Sequence, residues 1–244
     1  MADLDFTGKT VLVVGGSSGI GNGIAQRFRK HGAQVHVWGT RATAGDYQSG
    51  EGSDLTGLSY AQVDVSDFAA VDRFKPTFAV LDVLVLSQGT VLYRRAEFQM
   101  DGFQKVMDVN LNSLMACAVK FHDMLAASKG SLITVSSTAA YHSTRGNPAY
   151  NASKTGLIGL TRTLGEAWAG EGIRVNGIAP GLVDTKLTKV TTENPERLLA
   201  SLQGIPLKRL GTPDDMAGVA LFLASPLAAY VIGQTIPVDG GLIL

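Results

Sequence analysis

The chain has 244 residues, 45% hydrophobic and 17% charged, and its 21 basic and 21 acidic side chains cancel to a formal net charge of +0. That balance excludes global disorder and offers no electrostatic footprint for nucleic acid or an anionic membrane. One cysteine makes neither an intrachain disulfide nor a cysteine-rich metal site, so a reducing, cytoplasmic setting is expected.

The start MADLDFTGK is acidic and lacks the apolar stretch of a signal peptide. Thr10 to Val14 (TVLVV) is β-branched and reads as a buried strand, followed by a helical pattern from Ile20 to His31. Gln34 to Trp38, Tyr60 to Val65 and Leu81 to Leu86 read as strands two to four. Between the second and third, Ala42 to Gly57 carries four glycines, so a crossover helix there is expected to be short or missing. A long helix is predicted over Gly102 to Ala127, then a strand at Ser131 to Val135 and a helix over Pro148 to Ala169. Ile173 to Ile178 is the sixth strand. Thr185 to Gly211 is polar and irregular, and the stretch 182–210 reads as a lid. A helix near Met216 to Ala224 and a last strand at Gln234 to Val238 close the chain. The apolar stretch Val219 to Ile232 is broken by Ser225-Pro226 and falls short of the roughly 20 residues a bilayer demands. Strands alternating with helices predict one α/β domain over 1–244. Its expected architecture is a doubly wound, Rossmann-type, mostly parallel seven-stranded sheet with helices on both faces.

Glycine is the outlier of the composition: 29 residues, roughly 12% against about 7% in average proteins. Gly15, Gly16, Gly19 and Gly21 fall in one turn, Gly15-Gly16-Ser17-Ser18-Gly19-Ile20-Gly21, between the first strand and the first helix. Such a turn exposes backbone N–H groups, and the helix N-terminus adds a dipole that favours an anion such as a pyrophosphate. The turn lacks Gly-Lys-Ser/Thr, which excludes a P-loop. Further on, Asn147-Pro148 reads as a helix start, placing Tyr150 in the first turn and Lys154 one turn later on the same face. An ammonium and a helix N-terminus beside a phenol predict a tyrosine pKa below about 10. By spacing alone, though, the pair also reads as an ordinary surface contact. Other chemistries find little support. His31, His36, His122 and His142 lack metal-ligand spacing, and Ser136-Ser137 lacks the G-x-S-x-G elbow of a hydrolase. Cys117 lies on the apolar face of a helix as a small hydrophobe.

The glycine turn, Tyr150-Asn151-Ala152-Ser153-Lys154, and Ser137 thirteen residues before Tyr150 together resemble the classical short-chain dehydrogenases/reductases. The resemblance runs from Thr10 to Gly241. It implies Tyr150 as general acid/base, Lys154 as the lysine that holds the nicotinamide ribose, and Ser137 as the serine that orients the substrate oxygen. Asn110 matches the helix asparagine that anchors a proton-relay water. Cofactor contacts are implied at Gly15, Ser17, Ser18, Gly19, Ile20, Gly21, Asp64, Val65, Ser87, Gly89, Pro180, Gly181, Val183 and Thr185. The sequence departs from the family pattern at Val14, in place of threonine, and at Leu86-Ser87-Gln88-Gly89, in place of N-N-A-G. Where NAD-selective sheets carry an acid at the end of strand two, this chain has Gly39, then Thr40 and Arg41. A hydroxyl and a guanidinium there favour NADP(H) over NAD(H). The expected activity is hydride transfer between nicotinamide and a small carbonyl or secondary alcohol. A 3-oxoacyl-carrier-protein reductase is the runner-up, for which Lys186, Lys189, Lys208 and Arg209 supply basic groups, and a non-catalytic dinucleotide-binding regulatory module is the alternative. The resemblance also implies a homodimer or homotetramer.

Overall fold

The β-branched run Thr10–Val14 becomes β1, an inner strand of the sheet, and all five residues are buried. In this computed structural model, which describes residues 2–47 and 52–244, a seven-stranded parallel sheet has the order β3-β2-β1-β4-β5-β6-β7. The other strands are β2 (Gln34–Gly39), β3 (Ser59–Gln62), β4 (Val83–Leu86), β5 (Ser131–Val135), β6 (Arg174–Pro180) and β7 (Thr235–Val238). β1 pairs with β2 on one side and β4 on the other. The chain therefore reverses its winding direction between β1 and β4, and a crevice opens at their carboxyl ends.

Alternation along β1 builds two cores. Val11 and Val13 pack with Ile24 and Phe28 of α1 (Gly19–Lys30) and with Met216 and Leu221 of α9 (Pro213–Ala224). Leu12 and Val14 face the other way, onto Leu114 of α4 (Ser113–Lys120), Phe121, and Leu157 and Leu164 of α6 (Pro148–Trp168). Each fully buried side chain of this size contributes roughly 1.5–3 kcal/mol, so continuous apolar strands are what a two-faced sheet requires. Helix ends are satisfied locally. Thr212 and Asp215 form a capping box at the start of α9, and Arg174 donates to the carbonyls of Ala224 (2.9 Å) and Ser225 (3.4 Å) at its end.

Four expectations change. The long helix over 102–127 is divided into α3 (Met100–Met107), a π-helical turn (Asp108–Asn112), α4 and α5 (His122–Ser128). β3 stops at Gln62 instead of Val65, because Asp64 turns the chain by accepting from the Ser66 amide (2.9 Å) and hydroxyl (2.7 Å). The stretch expected to be irregular holds a 3-10 turn (Lys186–Thr188), α7 (Lys189–Thr192) and α8 (Pro195–Gly204), the last capped by the Asn194 side chain. Asn147 stands at the N-cap of α6, but its side chain makes no cap bond.

The glycine-rich stretch 42–57 holds no α-helix among its described residues, as expected, only a 3-10 turn at Ala44–Asp46. Gly50 lies outside the described residues. The later part is strapped to α1: Asn22 exchanges bonds with the Asp54 backbone (2.8 and 2.9 Å), and Gln26 donates to the carbonyls of Asp54 and Thr56. Side-chain amides thus replace the missing crossover helix. A short α2 (Phe68–Arg73) follows β3.

Candidate active site

The crevice at the carboxyl ends of β1 and β4 holds a cavity of about 500 Å³ that runs from the glycine turn to Tyr150. Gly15 adopts φ +76°, and a Cβ there would meet the Gln88 amide nitrogen at 2.7 Å. A Cβ on Gly21 would collide with the Gly15 carbonyl and lie 3.1 Å from Ser87 Oγ. The turn is close-packed because its glycines let backbone lie against backbone, leaving room for a pyrophosphate-sized group on the open side. The Gly19 amide donates to Gly52 O (2.9 Å), so one anion-facing donor carries an internal partner in this structure. Gly21→Ala is expected to weaken nicotinamide-dinucleotide binding by at least about tenfold, since a methyl cannot enter without displacing the Gly15 peptide. Fluorescence titration with the dinucleotide measures this; unchanged affinity would contradict the turn's assignment.

At the other end of the cavity, β5, α6 and the π-turn bring the polar groups together. Ser137 follows β5, and its side chain hydrogen-bonds the Tyr150 phenol. Lys154 is 4% exposed; its Nζ donates to the Val135 carbonyl (2.8 Å) and lies 5.7 Å from the Tyr150 ring centroid. Asn110, fully buried on the π-turn, accepts from the Thr90 amide (2.7 Å) and donates to Thr90 O (2.9 Å) and Ser153 Oγ (3.2 Å). Ser153 in turn donates to Tyr150 O (2.8 Å). The π-turn therefore aims Asn110 at both the Gly89-Thr90 loop and α6 (Pro148–Trp168). A Cβ on Gly89 would lie 3.5 Å from Lys154 Nζ and 3.7 Å from Asn110 Oδ1, at ordinary contact distance, so the glycine leaves this corner of the cavity unfilled.

The electrostatics differ from expectation. Burial pushes the Tyr150 phenol above its usual value, and the hydrogen bond to Ser137 opposes this without reversing it. The expected lowering fails because burial of the phenol outweighs it, and the Lys154 ammonium is bonded to Val135 O, 5.7 Å from the ring centroid. Burial also lowers Lys154 to about 8, so it keeps its charge at neutral pH and loses it as pH rises through about 8.

Gly15, Ser17, Ser18, Gly19, Ile20, Gly21, Thr40, Asp64, Val65, Ser87 and Gly89 all line the cavity, as do Pro180, Gly181, Val183 and Thr185. Hydrogen bonds to Ser66 hold the Asp64 carboxyl below the usual range. Arg41 is the exception: it does not line the cavity, its guanidinium stacks on Tyr47 at 4.7 Å, and it bonds the Asp46 carbonyl. A Cβ on Gly39 would collide with the Tyr47 hydroxyl and lie 2.6 Å from Ser17 Oγ. The phenol thus fills the position at the end of β2 where an acid would stand, and it accepts from the amides of Thr40 (3.0 Å) and Arg41 (3.2 Å). Sequence reasoning missed Tyr47, Lys105 and Glu97. No motif marks them, and only the fold brings them to the site. Among the described residues no His/Cys/Asp/Glu cluster fits a metal, and no helix is long and apolar enough to cross a membrane.

A family model described as enoyl-(acyl carrier protein) reductase matches residues 14–243. A 3-oxoacyl-acyl-carrier-protein reductase of Chlamydia muridarum is 38% identical, covering 96% of this chain and 97% of the relative. A 2-dehydro-3-deoxy-D-gluconate 5-dehydrogenase of Pseudoalteromonas atlantica is also 38% identical, over 96% and 95%. Among solved structures, the Pseudomonas aeruginosa RhlG/NADP active-site complex superposes with a TM-score of 0.90 at 32% identity, covering all of both chains. A gluconate 5-dehydrogenase from Beutenbergia cavernae with bound NADP gives 0.88 at 33%, over 99% of each.

Proposed function

The chain belongs to the classical short-chain dehydrogenase/reductase family of NAD(P)-dependent oxidoreductases, and from that premise we propose that it is an NADPH-dependent carbonyl reductase in which Tyr150 is the proton donor. The observation that carries this reading is the convergence of Ser137, Tyr150 and Lys154 at the inner end of one cavity whose outer end is the glycine turn. The cradle fits the cofactor: Gly15 and Gly21 have no room for a Cβ, and Gly89 keeps the corner beside Lys154 open. The cofactor, when bound, supplies the hydride that reduces the carbonyl carbon. The chain's own groups handle the oxygen. Ser137 Oγ holds it, and the Tyr150 O–H delivers its proton there as negative charge develops. A phenol pushed up by burial stays protonated at neutral pH, the form that carbonyl reduction uses. In this reading Lys154 holds the nicotinamide ribose and, with Asn110, returns a proton to the tyrosine. The Asn110 amide also has a positioning task, tying Thr90 to α6 through Ser153.

NADP(H) is preferred in this reading because no carboxylate stands at the end of β2 to repel a 2′-phosphate. Two structural neighbours are NADP complexes. A cytoplasmic homodimer or homotetramer completes the proposal, with exposed Met115 and Val119 on α4 as apolar surface for a second copy. The second reading, reduction of 3-oxoacyl groups on an acidic carrier protein, is favoured by the activity of the Chlamydia relative. Two of the basic groups available to a carrier are already paired, Lys189 with Glu193 (3.4 Å) and Arg209 with Asp215 (2.7 Å). Both readings are tested with one panel: acetoacetyl-coenzyme A and acetoacetyl-carrier protein, keto sugar acids and simple ketones, each with NADPH and NADH. The expected result is turnover with kcat/KM at least about tenfold higher for NADPH. An NADH preference overturns the cofactor assignment. Tight dinucleotide binding without turnover on any substrate favours a binding module instead.

A further inference from the structure

Glu97 is 1% exposed, on a 3-10 turn (Ala96–Phe98) packed against the first turn of α6. Its Oε2 accepts from the Tyr150 amide (2.9 Å), while Oε1 accepts from the Leu92 amide (3.0 Å) and from Asn147 Nδ2 (3.1 Å). Asn147 Nδ2 also donates to Leu92 O (2.9 Å). All three of these partners are N–H donors, a set that a carboxylate satisfies and a carboxylic acid does not. Asn147 occupies the N-cap without capping, and one free amide of α6, that of Tyr150, is met by a side chain 53 residues away.

We infer that Glu97 is a positioning residue for the reaction: it caps the catalytic helix from outside, fixes the Tyr150 backbone against Ser137, and sets a negative charge behind the phenol. The inference rests on Tyr150 being the proton donor. The physical reason is economy of movement. Tyr150 lies in the first turn, where helices fray, and a buried carboxylate bonded to its own amide removes that freedom. The charge matters separately, because a nearby carboxylate disfavours tyrosinate and keeps the proton on the oxygen. The titratable groups acting on the phenol are Tyr93 and Glu97 from the preceding loop, with Lys154 of α6 beside its ring; Lys105, Lys186 and Asp64 line other parts of the same cavity. Tyr93 and Glu97 act in the same direction, against ionisation.

Two variants separate reach from charge. Glu97→Gln keeps the length and removes the charge, leaving one donor unmatched; Glu97→Asp keeps the charge and withdraws it. The readouts are the pH profile of kcat for NADPH-dependent reduction of the best panel substrate, and hydrogen exchange at the Tyr150 amide in the protein without cofactor. For Glu97→Gln the alkaline limb is expected to move down by about half a pH unit or more, with kcat reduced about tenfold and NADPH affinity within twofold. A lower melting temperature with an unmoved limb overturns the inference, because a merely structural residue gives that result. If Glu97→Gln does not fold, Glu97→Asp decides. The limb should stay in place while kcat falls and the Tyr150 amide exchanges faster; wild-type kcat and exchange would overturn it. Failure of the Tyr150 assignment is seen independently, as retained turnover in Tyr150→Phe.

Discussion

Tyr150→Phe is expected to lower turnover by about 10²–10⁴-fold while dinucleotide affinity stays within a few-fold. The phenyl ring keeps its place on α6, where Ser153 bonds the Tyr150 carbonyl and Glu97 bonds its amide, so the helix has no cause to move. What disappears is the O–H and its bond to Ser137. Steady-state kinetics on the best panel substrate and fluorescence titration with NADPH measure the two halves of the expectation. Retained turnover removes the tyrosine from the mechanism. Loss of binding along with turnover would mean that the phenol holds the cofactor and not the substrate oxygen. In reduction the phenol must be protonated, so activity is present below its pKa and lost as pH rises through it. Because burial raises that pKa, the loss belongs on the alkaline side of 10. Oxidation requires the ionised form and should rise over the same interval.

The alternation of apolar strands and helical patterns made the sheet legible, because a parallel sheet buried on both faces must be written as continuous apolar runs such as TVLVV. The cofactor cradle was legible for a related reason: close backbone contact requires glycine, and Gly15 and Gly21 sit where a Cβ has no room. Chemistry that depends on distant partners was not legible. Glu97 reaches Tyr150 across 53 residues, and nothing in A-E-F announces a cap for a helix that starts at Pro148. The Tyr47 hydroxyl occupies the space over Gly39 only because the 3-10 turn at Ala44–Asp46 folds back, which also turns Arg41 onto Tyr47 and away from the cavity. The tyrosine pKa was misjudged for a third reason. Helical spacing predicts that Lys154 is near Tyr150 but not that its ammonium is committed to Val135 O, nor that burial outweighs the charge.

That burial gives the second large expectation: Lys154→Met should be nearly inactive and yet at least as stable as the parent. Lys154 is 4% exposed and its pKa is lowered from 10.5 to about 8, so the folded state disfavours its charge. A shift of this size corresponds to roughly 3 kcal/mol of instability at neutral pH, as an upper bound. Methionine removes the charge and fills a similar volume, but it leaves the Val135 carbonyl without its donor, at a cost of about 1–3 kcal/mol. The net gain is therefore modest, from about zero to 2 kcal/mol, or up to about 8 °C in melting temperature for a domain of this length. Turnover should fall by at least about 100-fold, since the variant has lost the ammonium beside the phenol. The pH dependence identifies the cause. Above 10.5 the lysine is neutral in both folded and unfolded chains, and its burial carries no charge penalty. As pH falls from 10.5 to about 8 the unfolded chain takes up a proton that the folded one refuses, and stability is lost; below 8 the penalty is complete. Calorimetry of parent and variant at pH 7 and near pH 10 should show the stability gap widest at pH 7 and narrowing toward pH 10. A gap independent of pH would assign the effect to packing. A variant less stable than the parent at pH 7 would show that the bond to Val135 outweighs the buried charge, which makes Lys154 a structural anchor of the β5–α6 junction as well as a functional group.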